Sequence, residues 1–200
     1  MKSIPSSIEL RSLLLIVALL VADIAQAQSG AWLDQALSAW NQPGAPMPKA
    51  PAPKGDPPTD PRCADGVRQA TTPAERMVTS AGWSLYAKPT ARGTATVVLG
   101  EASIDGMCRP WDYQAFVFVK GAFAGTLSPS LMDSRTDGAL SEIRFLSPTA
   151  IEAVFLRYVD ADPLCCPSRL TTVRYRIERR GQEPVVVPIS ARSKSTGGPG

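Results

Sequence analysis

The sequence predicts a β-rich α+β domain, a mainly antiparallel sheet with one or two short helices at its N-terminal end. Three observations carry that reading. Seven segments, Ala95 to Leu99, Ala115 to Val119, Phe123 to Leu127, Leu140 to Leu146, Ile151 to Val159, Leu170 to Glu178 and Pro184 to Ile189, are rich in β-branched and aromatic residues. Gly, Pro, Asp or Ser separates most of them. In one, Val173, Tyr175 and Ile177 alternate with Thr172, Arg174, Arg176 and Glu178, so one face of that strand is buried and the other is wet.

The elements follow in chain order. Leu13 to Val21 is apolar, Lys2 and Arg11 precede it, and Ala25-Gln26-Ala27 closes it. That order is a secretory leader too short for a comfortable membrane span, with cleavage expected after Ala27. Trp32, Leu33, Ala36, Leu37 and Trp40 recur at helical spacing, which predicts a short amphipathic helix over Ala31 to Trp40 that docks on the domain or on a partner. Prolines at 43, 46, 48, 51, 53, 57, 58 and 61 make residues up to 62 an extended spacer outside any packed core. Thr72-Pro73-Ala74-Glu75 opens a helix through Ser80: Thr caps, Pro suits the first turn, and the carboxylate faces the helix dipole. Lys120-Gly121 reads as a tight hairpin turn and Ser147-Pro148-Thr149 as another reversal. Ile151 to Tyr158 is the one apolar run whose period also admits a helix. The folded unit is expected over residues 63–190, with a disordered tail over 191–200.

Net charge is +3, too weak to argue for nucleic acid, and no later stretch approaches membrane-spanning length. Four cysteines in an exported chain, Cys63, Cys108, Cys165 and Cys166, imply disulfides. Adjacent Cα atoms lie about 3.8 Å apart, below the usual disulfide range of about 4.4 to 6.8 Å. Cys63 and Cys108 are therefore each expected to pair with one member of the doublet, in an order left open. Loops of roughly 60 and roughly 100 residues would each be worth about 4 kcal/mol. A redox-active bond within the doublet is the functional alternative. No CxxC spacing accompanies these cysteines, so no metal site is expected.

The chain contains no histidine, so it cannot assemble a Ser-His-Asp or Cys-His site by itself. An enzyme would have to use carboxylates, Tyr, Lys or Cys, and Asp105, Asp112, Asp133, Asp137, Asp160 and Asp162 are the candidates. Most sit beside Gly, Ser or Pro, where aspartate shapes turns by accepting backbone N–H bonds. Asp133 to Gly138 has a faint calcium-loop character without the ligand ladder of an EF-hand. Trp83, Trp111 and Tyr113 lie near turn signals, and Trp111 and Tyr113 are candidates for binding. Arg169, Arg174, Arg176, Arg179 and Arg180 make a basic strip near the last strands, with Arg174 and Arg176 as candidates for a partner.

Asp105-Gly106-Met107-Cys108-Arg109-Pro110, the apolar hairpin Phe116-Val117-Phe118-Val119 and Phe123-Ala124-Gly125-Thr126-Leu127, then Ser134-Arg135-Thr136-Asp137-Gly138 and Asp162-Pro163-Leu164-Cys165-Cys166-Pro167-Ser168 follow one another. This order resembles the LppP/LprE lipoprotein family over about Gly82 to Glu178. The resemblance implies a bacterial envelope or periplasmic domain and brings no catalytic residues. The chain departs from it in lacking a lipid-acceptor cysteine near Ala27. Together these features predict an exported, disulfide-bonded, non-catalytic domain that binds an envelope protein or polymer and needs no cofactor. The alternative is a hydrolase or redox enzyme.

Overall fold

The computed structural model describes residues 30–197, and the leader expected over residues 1–27 lies outside them. Within that range the chain forms two antiparallel sheets packed face to face. The first sheet contains β1 (Ser84–Leu85), β2 (Thr90–Arg92), β3 (Ala95–Ile104), β4 (Pro110–Val119) and β5 (Ala122–Thr126), in the order β1-β3-β4-β5 with β2 also pairing β3. The second contains β6 (Leu140–Ser147), β7 (Ala150–Arg157), β8 (Arg169–Arg180) and β9 (Glu183–Ser195), in sequence order. Each long segment that the sequence marked as β lies within or overlaps one of these strands, and the ambiguous run is strand β7.

The pleat explains the layers. On β3, Ala95 and Val97 point into the sandwich with Ala115 and Val117 of β4, where they meet Ile151, Ala153, Phe155, Val173 and Tyr175 of the second sheet. Val98 and Ala102, with Phe116 and Phe118, point the other way. There they are covered by Ala74 and Val78 of α1 (Pro73–Ser80) and by Trp83, with Met47 and Ala50 packed against them. The first sheet is thus covered on both faces. α1 begins with the expected chemistry: the Thr72 side chain accepts from Glu75 N while the Glu75 carboxylate accepts from Thr72 N.

The hairpin between β4 and β5 turns on Lys120 and Gly121, both left-handed (φ 51° and 82°), which is the primed geometry that matches strand twist. β9 runs five residues beyond the expected end of the domain, because Ala191 to Ser195 pair with Val173 to Arg169. A ladder needs only backbone groups, so the polar composition that suggested disorder does not prevent pairing.

The N-terminal arm differs from expectation in two ways. Only Ala31–Asp34 is helical, as a single 3-10 turn that ends at an extended Gln35, and the rest of the predicted helix is irregular. This course carries Trp40 onto β5, where its indole N–H donates to the Thr126 carbonyl (3.2 Å), while Trp32 packs edge-on against Trp40 and Phe155. So short a helix contributes little on its own, and docking two indoles outweighs it. Asn41 then joins the sheets: its Nδ2 donates to Thr126 O (2.9 Å) and Val186 O (3.0 Å), and its Oδ1 accepts from Thr126 N (2.9 Å). Gly125, at φ 125°, makes room, since a Cβ there would strike the Asn41 amide. The proline-rich segment is broken by turns at Gln42 to Ala45 and Pro57 to Cys63, and it is a strap laid on the domain. Pro48 O accepts from Trp83 Nε1 (2.9 Å), Ala50 N donates to Ala81 O (2.9 Å), and Asp56 pairs with Ile104.

Candidate functional site

The cysteines correct the expected pairing. Cys63 is bonded to Cys108, and Cys165 to Cys166. The strap accounts for this: the Asp56–Ile104 bridge brings Cys63 beside the turn that follows β3, where the two Cα atoms are 5.4 Å apart. The doublet sits in the connection between β7 and β8 of the other sheet. A pairing argument based on the spacing of neighbours could not see the strap.

The aspartates mostly hold backbone. Asp105 accepts from the N–H groups of Met107 (2.9 Å) and Arg109 (3.0 Å), and Asp162 from those of Val159 (3.0 Å) and Ser168 (2.9 Å). Asp133 accepts from Asp112 N (2.7 Å), and Asp112, itself buried, pairs with Lys54 Nζ at 2.6 Å. Asp137 accepts from Arg157 Nε (2.8 Å) and Tyr158 N (2.9 Å). Asp160 is exposed in the β7–β8 connection. The carboxylates of the faint calcium-like loop therefore point to different partners. Among the described residues no three His, Cys, Asp or Glu side chains converge in a way that could hold a metal ion.

Of the aromatic candidates, Tyr113 is a core residue: it is 2% exposed, and its hydroxyl accepts from Leu140 N (2.7 Å). Trp111 is half-buried beneath the strap near Gly55. Asp112 between them has φ 48°, so the strand turns and the two rings present no common surface. Trp83 is buried against Phe116.

Two buried glutamates show opposite electrostatics. Glu75 is pushed up by burial but brought down to about 2 by bonds from Thr71, Arg68 and Thr72. Glu101 on β3 is 3% exposed, and its Oε2 has no hydrogen-bond partner, so burial alone pushes its carboxyl to about 7. Sequence reading missed Glu101; its only signal was a lone acid within an apolar strand.

The arginines divide. Arg179 turns into the β8–β9 hairpin and donates to Gln182 O, and Arg169 opens β8 opposite the buried Arg157. Arg157, also unforeseen, is held by Asp34 and by Asp137 (2.8 Å), and these carboxylates outweigh the burial that works against its charge. Arg174 and Arg176 lie on the outer face of the second sheet. Strand pairing places Arg174 opposite Glu152, Glu152 opposite Arg144, and Thr172 opposite Arg192. Glu152 is shared by Arg144 and by Arg174 (2.9 Å), and Glu178 by Arg176 (2.8 Å) and Arg180 (3.6 Å). Two guanidiniums share each carboxylate; Glu142 also acts on Arg144 and balances the group around Glu152, while the Glu178 triad keeps an excess positive charge. The two arginines around Glu152 hold its carboxyl below the ordinary range. Arg192 and Lys194 add to this face and make no ion pair among the described residues. Its exposed large apolar side chains, Leu146 and Ile189, are few.

These strands, hairpin and cysteine elements span the segment that decides the comparison with known families. Residues 88–180 match the LppP/LprE lipoprotein family. The match begins a few residues inside the expected resemblance and covers β2 through β8. It leaves out the arm, the strap, α1, β1 and β9, which complete the sandwich in this chain. No curated protein and no solved structure matches the chain. Among the described residues no helix is long and apolar enough to cross a membrane.

Proposed function

We propose that this is an exported, non-catalytic binding domain of the cell envelope whose outer second-sheet face takes an anionic, carboxylate-bearing polysaccharide. The observation that carries the reading is the contrast in cover. Among the described residues the arm, strap and α1 all serve the sandwich core and the first sheet, while the outer face of β6–β9 keeps a ladder of cations. A flat surface dominated by guanidinium forks, with no aromatic cluster, suits a chain of carboxylates better than the apolar core of a protein interface. Export is supported by the leader pattern ending at Ala27, by cysteines that are all bonded, and by similarity to a family of lipoproteins.

The hydrolase alternative finds little support, since five of the six candidate aspartates are engaged with backbone or cation partners. The binding reading is tested by immobilising the mature protein and passing polygalacturonate, with neutral dextran as control. Retention of polygalacturonate that is lost as salt is raised, with dextran passing through, is expected. Equal passage of both polymers at low salt would overturn the reading.

A further inference from the structure

The geometry points to Cys165–Cys166 as a thiol–disulfide exchange site that a dithiol protein can open while the domain stays folded. Both cysteines are exposed, whereas the other bond joins an exposed Cys108 to a buried Cys63, so only one of its two residues is open to solvent. The doublet is not what shapes its loop. Asp162 accepts from Val159 N and Ser168 N and closes the loop at its base. The Tyr158 hydroxyl donates to Leu164 O (3.1 Å), Cys166 N donates to Pro163 O (2.9 Å), and Thr196 at the end of β9 donates to Ser168 O (2.9 Å) and Pro167 O (2.8 Å). None of these bonds uses a cysteine sulfur. The cross-link spans one peptide bond, so opening it releases no long loop, unlike Cys63–Cys108 with its separation of 45 residues. Leu164, 65% exposed, and Val159, 44% exposed, lie in the same connection and offer exposed apolar side chains to a partner.

The chemistry closes without an unnamed reagent. A thiolate of the incoming dithiol attacks Sγ of one cysteine, the Cys165–Cys166 bond breaks, and the other cysteine leaves as a thiolate. The partner's second thiol then attacks the mixed disulfide. The partner is left oxidised with its own disulfide, and its two protons and two electrons appear as two thiols on this chain.

The test titrates purified exported protein with dithiothreitol and, separately, with a reduced protein bearing a C-x-x-C dithiol, reading each cysteine by alkylation and mass spectrometry. Cys165 and Cys166 are expected to be alkylated together at about tenfold lower dithiol than Cys63 and Cys108, with the near-ultraviolet circular dichroism unchanged. Opening of Cys63–Cys108 at the same or lower dithiol would overturn the inference. So would opening of the doublet only where the dichroism is lost. A Cys165→Ser/Cys166→Ser variant is expected to keep its melting temperature within about 2 °C and to stop oxidising the C-x-x-C protein. Oxidation that continues at the parent rate would contradict the assignment. If that variant fails to fold, Cys166→Ser alone, incubated with a C-x-x-S partner pre-activated as its mixed disulfide with a small aromatic thiol, must trap a Cys165-linked complex or the inference fails.

Discussion

The two sheets are built from similar strands but present opposite outer faces, and the difference lies in what the rest of the chain does. The outer face of the first sheet carries Val98, Ala102, Phe116 and Phe118, and α1, Trp83 and the strap cover it. The corresponding face of the second sheet carries Arg144, Glu152, Arg174 and Arg176, which are satisfied by one another and by water. Burying the first removes apolar area from water and stabilises the fold. Leaving the second exposed costs nothing in stability and keeps its cations available, so one face holds the domain together while the other can serve a partner.

Substitutions on the covered side should have the largest effect. Trp83→Ala removes the ring packed on Phe116 and the bond to Pro48, and should cost about 3 to 5 kcal/mol in urea unfolding. A loss below about 1 kcal/mol would mean that strap and helix do not seal this face. Replacing Cys63 and Cys108 together by serine should cost about 2 to 4 kcal/mol, because their bond closes a long loop between strap and sheet. The same double change at Cys165 and Cys166 should cost about 1 kcal/mol or less.

Between the sheets, Glu101 gives a pH signature. Its carboxyl lies near 7 in the folded state against 4.5 ordinarily, so the folded protein keeps a proton that the unfolded chain gives up. Stability is therefore full below about pH 4.5, falls as pH rises towards about 7 and is level above. Glu101→Gln should add about 2 to 3 kcal/mol near pH 8 and almost nothing near pH 4. Equal gains at both pH values, by denaturant unfolding, would show that the carboxyl is not held protonated. Smallest in stability is Arg174→Ala on the open face, expected within about 0.5 kcal/mol of the parent in thermal unfolding.

Local physics was legible in the residues, and tertiary placement was not. The alternation in β8, the Thr72–Glu75 box and the Lys120–Gly121 turn each depend on a few neighbouring residues, and each is present. The prolines did keep helix and ladder strands out of this segment, but nothing local says that Pro48 meets Trp83 or that Asp56 meets Ile104. Without that strap, Cys63 could not be placed beside Cys108. The Trp32 to Trp40 spacing indicated a helix because period alone cannot weigh the docking of Trp40 on Thr126. At the candidate site, Arg174 and Arg176 were legible from alternation, whereas their partners Arg144 and Glu152 come from other strands. Tyr113 was left between core and binding for the converse reason: turn signals on either side could not say that its strand lies at the centre of the sandwich.

The most direct test of the open face compares two single charge reversals that change net charge equally. Arg174→Glu alters the bare sheet, and Arg76→Glu alters the exposed side of α1 on the covered sheet. Titrated with polygalacturonate at low salt, Arg174→Glu should weaken binding about tenfold and Arg76→Glu less than about twofold. Equal losses from both would mean that the polymer senses only net charge, and would contradict the account.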